Sequence, residues 1–382
     1  VQPDTHDSKK TMPFQGTRVV VAMSGGVDSS VAALLLAQQG YDVVGVSMQV
    51  WDYRNNGGCK SRATCCAPDD FSDARKVAAM VGVPYYVFDL EQIFREQVID
   101  RFVSTYKSGA TPNPCVDCNS KVKFRELRDR ATSMGVPFVA TGHYAQVRHD
   151  ADGSHLLRGS DSAKDQSYFL YGCARSELAS TIFPVGAMTK QEVREIARHH
   201  GLTTADKPES QDICFVSDTA KDFVTRIGGR GLSGAVRTRN GKILGSHAGL
   251  HRFTVGQRRG LGVADSLSGD DGPHYVVELD PKTNSVIVGP RTELERTEFE
   301  VGEINWLIDP PQTPIDITVQ VRHRHSGVAA RLFPNGLDRA RIEFTDQWAV
   351  VSPGQAAVFY DPANIEVLGG GRISPVSVHG GW

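Results

Sequence analysis

Two groups of residues in this chain have types and spacings that could do chemistry. The first is Ser24-Gly25-Gly26-Val27-Asp28-Ser29-Ser30, which follows the β-branched run of residues 18–22 and leads into an alanine- and leucine-rich stretch from Val31 to Gln39. Adjacent glycines let the backbone close around a phosphate, serine hydroxyls add donors, and a helix starting there offers its positive end. Asp28 would repel a bare phosphate, so its presence implies a bridging Mg2+ or a carboxylate that orders the loop. No GxxxxGK[ST] pattern occurs in the chain, so the loop lacks the lysine that grips β- and γ-phosphates in a Walker loop. Such a loop favours reaction at an α-phosphate, with pyrophosphate leaving.

The second group is the cysteines: Cys59, Cys65, Cys66, Cys115, Cys118, Cys173 and Cys214. An odd number in a long chain without an apolar signal segment fits a reducing, cytoplasmic setting with buried, reactive or metal-bound thiols. Cys118 reads as lying just before a helix that carries Lys121, Lys123 and Arg125. A helix start and nearby cations both favour thiolate. Cys214 lies 96 positions later, between Asp212 and Phe215. Cys115-x-x-Cys118 is a redox or metal spacing, and with Cys214 it offers three thiolates, enough for a [4Fe–4S] cluster with one open iron. The blander reading of any one cysteine is a small buried hydrophobe. Cys59 and Cys173 are read that way, and Cys65 and Cys66 are too close to share a metal comfortably.

Several elements must position these groups. Short apolar runs at 18–22, 42–50, 84–90 and 137–145 read as strands, and 72–82, 94–109, 121–135 and 189–201 have helical period. Alternating strands and helices predict an α/β doubly wound parallel sheet, with ligands at the carboxyl ends of its strands. Met48 would end the second strand beside a base, and Gly142 and His143 would end another. Beyond about residue 220, glycine and short β runs take over. The expected domains are a disordered leader at 1–17, a nucleotide-binding catalytic domain at 18–219, a small β-rich domain at 220–296 and a β-barrel at 297–382.

Lys and Arg total 42 against 44 Asp and Glu, a formal net charge of -2, which excludes a uniformly basic protein. Local basic groups remain candidates for phosphate contact: residues 121–130, Arg258 and Arg259, and Arg322 with His323, Arg324 and His325. There is no run of 18 apolar residues, so no membrane-spanning helix is expected.

The Ser24–Ser30 loop resembles the pyrophosphate loop of the ATP-pyrophosphatase superfamily. Within it, TPNPCVDCN (111–119), ATGHYA (140–145), KDQSYFL (164–170), SQDICF (210–215) and PGQAAVFYD (353–361) are similar to segments of the tRNA-specific 2-thiouridylases (MnmA/TrmU), and the likeness runs from about residue 18 to about residue 370. The resemblance implies ATP-dependent 2-thiolation of the wobble uridine (U34) of tRNA, with ATP and Mg2+ as cofactors. ATP would contact Ala22, Met23, Ser24, Gly25, Gly26, Val27, Asp28, Ser29, Met48 and Gly142. Cys214 would carry sulfane sulfur as a persulfide. Cys118 would be the nucleophile that frees it and forms a disulfide with Cys214. Asn113, Pro114 and Cys115 would flank the target base, and His143 would face nucleotide or RNA. Lys164, Asp165, Gln166, Arg322, His323 and Gln355 would lie on the tRNA side. The implied partners are tRNAs for Lys, Glu and Gln and a sulfur donor, either a cysteine desulfurase or a sulfur-relay protein.

The chain departs from this family at Cys115, where an acidic residue is usual. That keeps open an iron–sulfur thiolase using Cys115, Cys118 and Cys214. Another adenylating synthetase of the superfamily and a non-enzymatic RNA-binding or sulfur-carrier module are the remaining alternatives.

Overall fold

A computed structural model describes residues 15–51, 68–209, 213–216, 218–262, 273–345 and 348–375. Cys59, Cys65, Cys66, Asp212 and most of the expected leader lie outside the described residues. Gly16 and Thr17 are bonded into the fold: the Gly16 amide donates to the Gly40 carbonyl, and the Thr17 carbonyl accepts from Asp42.

The first half is a five-stranded parallel sheet. Its elements are β1 (Arg18–Ala22), α1 (Val27–Gln38), β2 (Asp42–Gln49), α2 (Pro68–Val81), β3 (Tyr85–Asp89), α3 (Glu91–Phe94), α4 (Asp100–Lys107), α5 (Pro114–Asp117), α6 (Arg125–Ser133) and β4 (Phe138–Thr141). A hairpin follows, β5 (Ala145–Asp150) with β6 (Gly153–Arg158), then α7 (Arg175–Leu178), β7 (Thr181–Ile182) and α8 (Lys190–His199). The strand order is β3-β2-β1-β4-β7. β1 is central, with β2 on one side and β4 on the other, both parallel to it. The order therefore reverses at the end of β1, where open α/β sheets bind ligands.

Both faces of β1 are covered, which is why it reads as an unbroken valine run rather than an alternating one. Val19 and Val21 pack with α1, α2 and α8, while Val20 packs with Leu127 and Ala131 of α6 on the other face. Thr189 caps α8, accepting from the Glu192 amide while Glu192 answers the Thr189 amide.

After α9 (Ala220–Gly228) comes a four-stranded sheet of β8 (Gly234–Thr238), β9 (Ile243–His247), β10 (Tyr275–Asp280) and β11 (Ser285–Gly289), ordered β10-β11-β8-β9. The short β12 (Glu295–Arg296) and β17 (Ala349–Val350) pair with each other. The last unit is a closed barrel of β13 (Glu298–Trp306), β14 (Ile315–Gln320), β15 (Val328–Pro334), β16 (Ala340–Phe344), β18 (Ala356–Tyr360) and β19 (Val367–Ile373). Alternate residues such as Ile317, Val319, Ala330, Leu332 and Ile342 fill its interior.

The barrel does not hang free. One apolar cluster joins Val116, Phe124, Leu156, Tyr168 and Tyr171 of the first half to Ala356, Val358, Tyr360 and Val367 of the barrel. Arg158 stands 3.6 Å over the Tyr360 ring and bonds Asp165, Gln320 and Asn364.

Three expected boundaries are corrected. The helix read at 121–135 begins at Pro114, because Pro114 occupies the first helical position behind Asn113. It runs to Ser133 through a π-helical stretch, Cys118–Phe124. The strand read at 137–145 ends at Thr141, and Ala145 opens the hairpin instead. The helix read at 72–82 starts at Pro68. No helix among the described residues is long and apolar enough to cross a membrane.

Candidate active site

The glycine loop lies between β1 and α1, at the reversal point of the sheet. Gly25 has φ +73°, and a Cβ there would collide with the Asp70 carbonyl at the start of α2. At Gly26 the only heavy atom among the described residues near such a Cβ is Ser24 Oγ, at 3.5 Å, so among them this side of the loop is open. The serines brace the turn. Ser29 Oγ accepts from the Ser24 amide at 3.1 Å and donates to the Gly26 carbonyl at 3.1 Å, to which Ser30 Oγ also donates, at 2.8 Å. Gly142, after β4, comes so close that a Cβ would sit 2.6 Å from the Ser29 amide nitrogen. Its lack of a side chain therefore serves the approach of α1 itself. An open glycine face at the N-terminus of α1, with its amides and hydroxyls, fits a nucleotide triphosphate.

Asp28 has partners within the protein. Lys190 Nζ, at the start of α8, donates to its two oxygens at 2.7 and 2.8 Å, and the Tyr144 hydroxyl donates to Oδ1 at 2.8 Å. Burial and the Asp28 charge push the Tyr144 hydroxyl pKa far up, so it stays a donor. Lys190 also meets Glu209 at 3.0 Å, and Lys164 meets Glu209 at 2.7 Å. Gln166 closes the circuit by accepting the Tyr144 amide at 3.0 Å. Lys207 donates to the Gly25 carbonyl at 3.0 Å and pairs with Asp70 and Asp73. The loop contains no lysine, yet the fold brings it Lys190 and Lys207 from far along the chain. Sequence reading missed both; Lys207 and Glu209 stand directly ahead of the SQDICF segment, which was the available signal. In this arrangement Asp28 is tied to α8 through Lys190 and to the segment after β4 through Tyr144. Among the described residues no group of three or more His, Cys, Asp or Glu is placed to hold a metal ion, so a cluster on Cys115, Cys118 and Cys214 does not fit them.

The two cysteine segments converge. Cys118 is a buried member, and Cys214 a partly buried neighbour, of one apolar cluster. That cluster includes Met48, Val50 and Trp51 at the end of β2 and Leu90 after β3, so it lies at the carboxyl edge of the sheet. Phe215 is the anchor that sequence reading missed. It is 3% exposed and packs against Phe94, Phe102, Phe223 and Trp51, with ring centroids 5.1 to 6.5 Å away. Cys118 is not ahead of a helix, as expected, but one turn inside it, at the first residue of the π-helical stretch. Such bulges recur where a helix must present a particular side chain. Cys115, at the second helical position, is half-buried. Burial pushes the Cys173 thiol strongly up, in keeping with a structural role.

His143 is held in one state. Its Nδ1 lies 2.8 Å from Thr141 Oγ1, and its ring packs against Phe124 and Phe183. Burial, then the Lys123 charge, push its pKa down to about 3, so the imidazole is neutral. Asn113 stands at the N-cap position of the Cys118 helix, with its side chain bonded to Tyr168 rather than to the helix end, and Pro114 is buried.

Several residues expected on the RNA side are engaged within the protein. Asp165 accepts from Arg158 at 2.6 Å and from the Gly159 and Ser167 amides. Gln355 donates to the Thr111 and Pro112 carbonyls at 3.0 and 3.2 Å. The basic helix is also largely committed. Arg128 donates to the Pro137 and Ser180 carbonyls, and Arg130 lies over the Phe88 ring. Arg322 and Arg324 are exposed, and the His323 ring packs on Phe169 with centroids 4.4 Å apart.

Fold and loop together define a nucleotide-binding α/β enzyme with two β-rich domains appended. Family models described as a tRNA methyl transferase HUP domain, a tRNA methyl transferase PRC-barrel domain and an aminomethyltransferase beta-barrel domain match residues 17–218, 221–290 and 296–373. The chain is 48% identical over 363 residues to tRNA-specific 2-thiouridylase MnmA of Geotalea uraniireducens, covering 93% of this chain and 94% of that protein. It is 45% identical over 370 residues to the protein of the same name from Geobacter metallireducens, covering 95% and 98%. Against that of Parvibaculum lavamentivorans it is 46% identical over 368 residues, covering 94% and 91%. The chain belongs to the tRNA-specific 2-thiouridylase family.

Proposed function

We propose that this protein converts the wobble uridine of tRNA to 2-thiouridine by ATP-dependent activation followed by sulfur transfer from a cysteine persulfide. One observation carries the reading: the intact phosphate loop and both cysteine segments meet at the same edge of the sheet, with Cys118 and Cys214 in one cluster. The methyl transfer named in two of the matching family models would give the paired cysteines no work, whereas the name of the curated relatives does.

In this reading residues 22–29 and the start of α1 hold the triphosphate, and Met48 and Gly142 border the nucleotide. Mg2+ bound with the nucleotide would offset the phosphate charge, while Asp28, through Lys190 and Tyr144, keeps the loop in shape. The uridine O2 attacks the α-phosphorus and pyrophosphate leaves, which turns a poor leaving oxygen into AMP. Cys214 arrives as a persulfide, Cys-S-SH, loaded by a desulfurase or a sulfur-relay protein. The Cys118 thiolate attacks the Cys214 sulfur, forms the Cys118–Cys214 disulfide and expels hydrosulfide. Hydrosulfide adds at C2, loses its proton, and AMP departs with the former O2. A thiol reductant then restores both cysteines. Asn113, Pro114, Cys115 and the neutral His143 flank the flipped base. Arg322 and His323 meet tRNA, while Lys164, Asp165, Gln166 and Gln355 shape the surface they share. The tRNAs are those for Lys, Glu and Gln, and the setting is the reducing cytoplasm.

The test is mass spectrometry of tRNA nucleosides after incubation with ATP and a persulfide donor. Wild type should form 2-thiouridine, and Cys118→Ser and Cys214→Ser should form none while still releasing pyrophosphate. Cys115→Ser should keep most activity. Thiolation at the wild-type rate by either of the first two variants would overturn the persulfide route.

A further inference from the structure

Immediately ahead of Cys118, the Asp117 carboxylate is held from the far end of the chain. Arg372, on β19, directs Nη2 at the two Asp117 oxygens at 2.7 and 2.6 Å. The two side chains are only 15% and 5% exposed. Arg101 Nε at 3.7 Å and Lys121 Nζ at 3.6 Å stand around the same carboxylate. Glu303, on β13, answers these cations by pairing with Arg101 and, at 3.5 Å, with Arg372 Nε. Its backbone is left-handed, at φ 52°, where the β13–β19 register shifts. A bulge of this kind re-aims a side chain at a cost in backbone strain, and here it turns a carboxylate into the cation cluster.

The same end of the barrel grips the other end of the cysteine segment. The Thr111 amide donates to the Pro353 carbonyl at 2.8 Å, and Gln355 holds the Thr111 and Pro112 carbonyls. Residues 111–117 are thus clamped at both ends by the barrel. The Asp28–Lys190–Glu209 network around the phosphate loop shares no residue with this clamp.

We propose that Arg372 is a positioning residue for Cys118: by bridging Asp117 and Glu303 it fixes the helical turn that presents the thiol, so the C-terminal barrel sets the geometry of the sulfur step. A planar guanidinium can reach both carboxylates at once, and an ammonium cannot do so with the same geometry. The inference rests on Cys118 being the nucleophile.

The test compares Arg372→Gln and Arg372→Lys with wild type in the full chain. One readout is alkylation of Cys118 by iodoacetamide between about pH 6 and about pH 10, followed on its own peptide by mass spectrometry. The other is 2-thiouridine formation as a function of tRNA concentration, with pyrophosphate release measured in parallel. Arg372→Gln should move the Cys118 alkylation midpoint upward, because the Asp117 charge beside it is less compensated. It should lower kcat for thiolation about tenfold, with KM for tRNA within about twofold. Arg372→Lys should return the midpoint to the wild-type value but recover only part of kcat. If the glutamine variant does not fold, the lysine variant decides. A folded Arg372→Lys enzyme with wild-type kcat overturns the proposal, and so does a loss confined to KM for tRNA. Alkylation is read without turnover, so these outcomes are distinct from failure of the nucleophile reading, which would appear as an active Cys118→Ser enzyme.

Discussion

The phosphate loop and the Cys118 helix sit at the same edge of one sheet, but they are held in place in different ways. The loop is shaped mainly by its neighbours: β1 before it, α1 after it, and serine bonds spanning three to five positions. Lysines from further along then tighten it. The Cys118 helix takes its position from residues some 250 positions away, through Arg372 and Gln355 of the barrel. On the proposed reading, the nucleotide site is thus a local motif, while the sulfur site is a product of domain docking. Damage to the first should appear in ATP chemistry, and damage to the docking should appear first in sulfur transfer.

The most severe break should come inside the loop. Gly25→Ala would place a Cβ against the Asp70 carbonyl at a left-handed φ that alanine resists, so the loop must move. A shift of about 1 Å is enough to cost roughly 100-fold in rate, and pyrophosphate release should fall by at least that. Gly26→Ala sharpens the point. Its Cβ has room within the protein and a φ of -93°, so the melting temperature should hardly change while ATP binding is lost. A Gly26→Ala enzyme that binds ATP normally would show that the open face does not receive the phosphates.

The docking is next. Asp165 is 9% exposed and neutralises Arg158, which also touches Gln320 and Asn364 of the barrel region. Asp165→Asn keeps the shape and removes the charge. Breaking a buried pair by removing one partner typically costs about 3 kcal/mol or more. The urea midpoint should drop accordingly, and thiolation should fall more than pyrophosphate release. Equal losses in the two activities would contradict the division between a local and a docked site. Gln355→Ala is a milder version. Two backbone carbonyls lose a neutral donor, for about 1 kcal/mol. If Gln355 served only RNA, the stability of the free protein would not move.

The same division explains what was legible from sequence. The parallel sheet and the loop could be read because local signals agree: a valine run, two glycines, then alanines and leucines. The β-rich second half could be read from short β runs set off by turn residues and glycine. The helix start is misplaced in sequence because periodicity is plain only from Lys121 onward, while the signal for the true start is Asn113-Pro114, an N-cap residue type followed by a first-turn proline. Lys190, Lys207, Phe215 and Arg372 carry no local mark. A lysine at a helix start reads as solvated, and a phenylalanine after a cysteine reads as core. Their roles arise only when distant segments are brought together.

The smallest expected effect tests a second tie between the halves, remote from both sites. His155, on β6, lies 2.7 Å from Glu366 and 2.9 Å from Asp150, and Glu366 also receives Arg148. The hydrogen bond to Glu366 is the main cause of a pKa raised above the ordinary 6.5, with burial opposing it. A group whose folded pKa is raised stabilises the fold while it is protonated in the folded state. The contribution is therefore complete below about pH 6.5, where both states bind the proton, and fades as pH rises through the folded pKa. It is modest, because Asp150 is exposed and surface pairs are screened. The urea midpoint of wild type should accordingly decline between about pH 6 and about pH 9 more than that of His155→Gln, in which the amide can still donate to one carboxylate at any pH. Added salt should narrow the gap between the two proteins. Parallel pH curves would mean that His155 does not carry a proton in the fold, and that the hairpin is fastened to the barrel by its other bonds, those of the Arg148 and Arg158 side chains and the Arg158 amide to Ile365 among them.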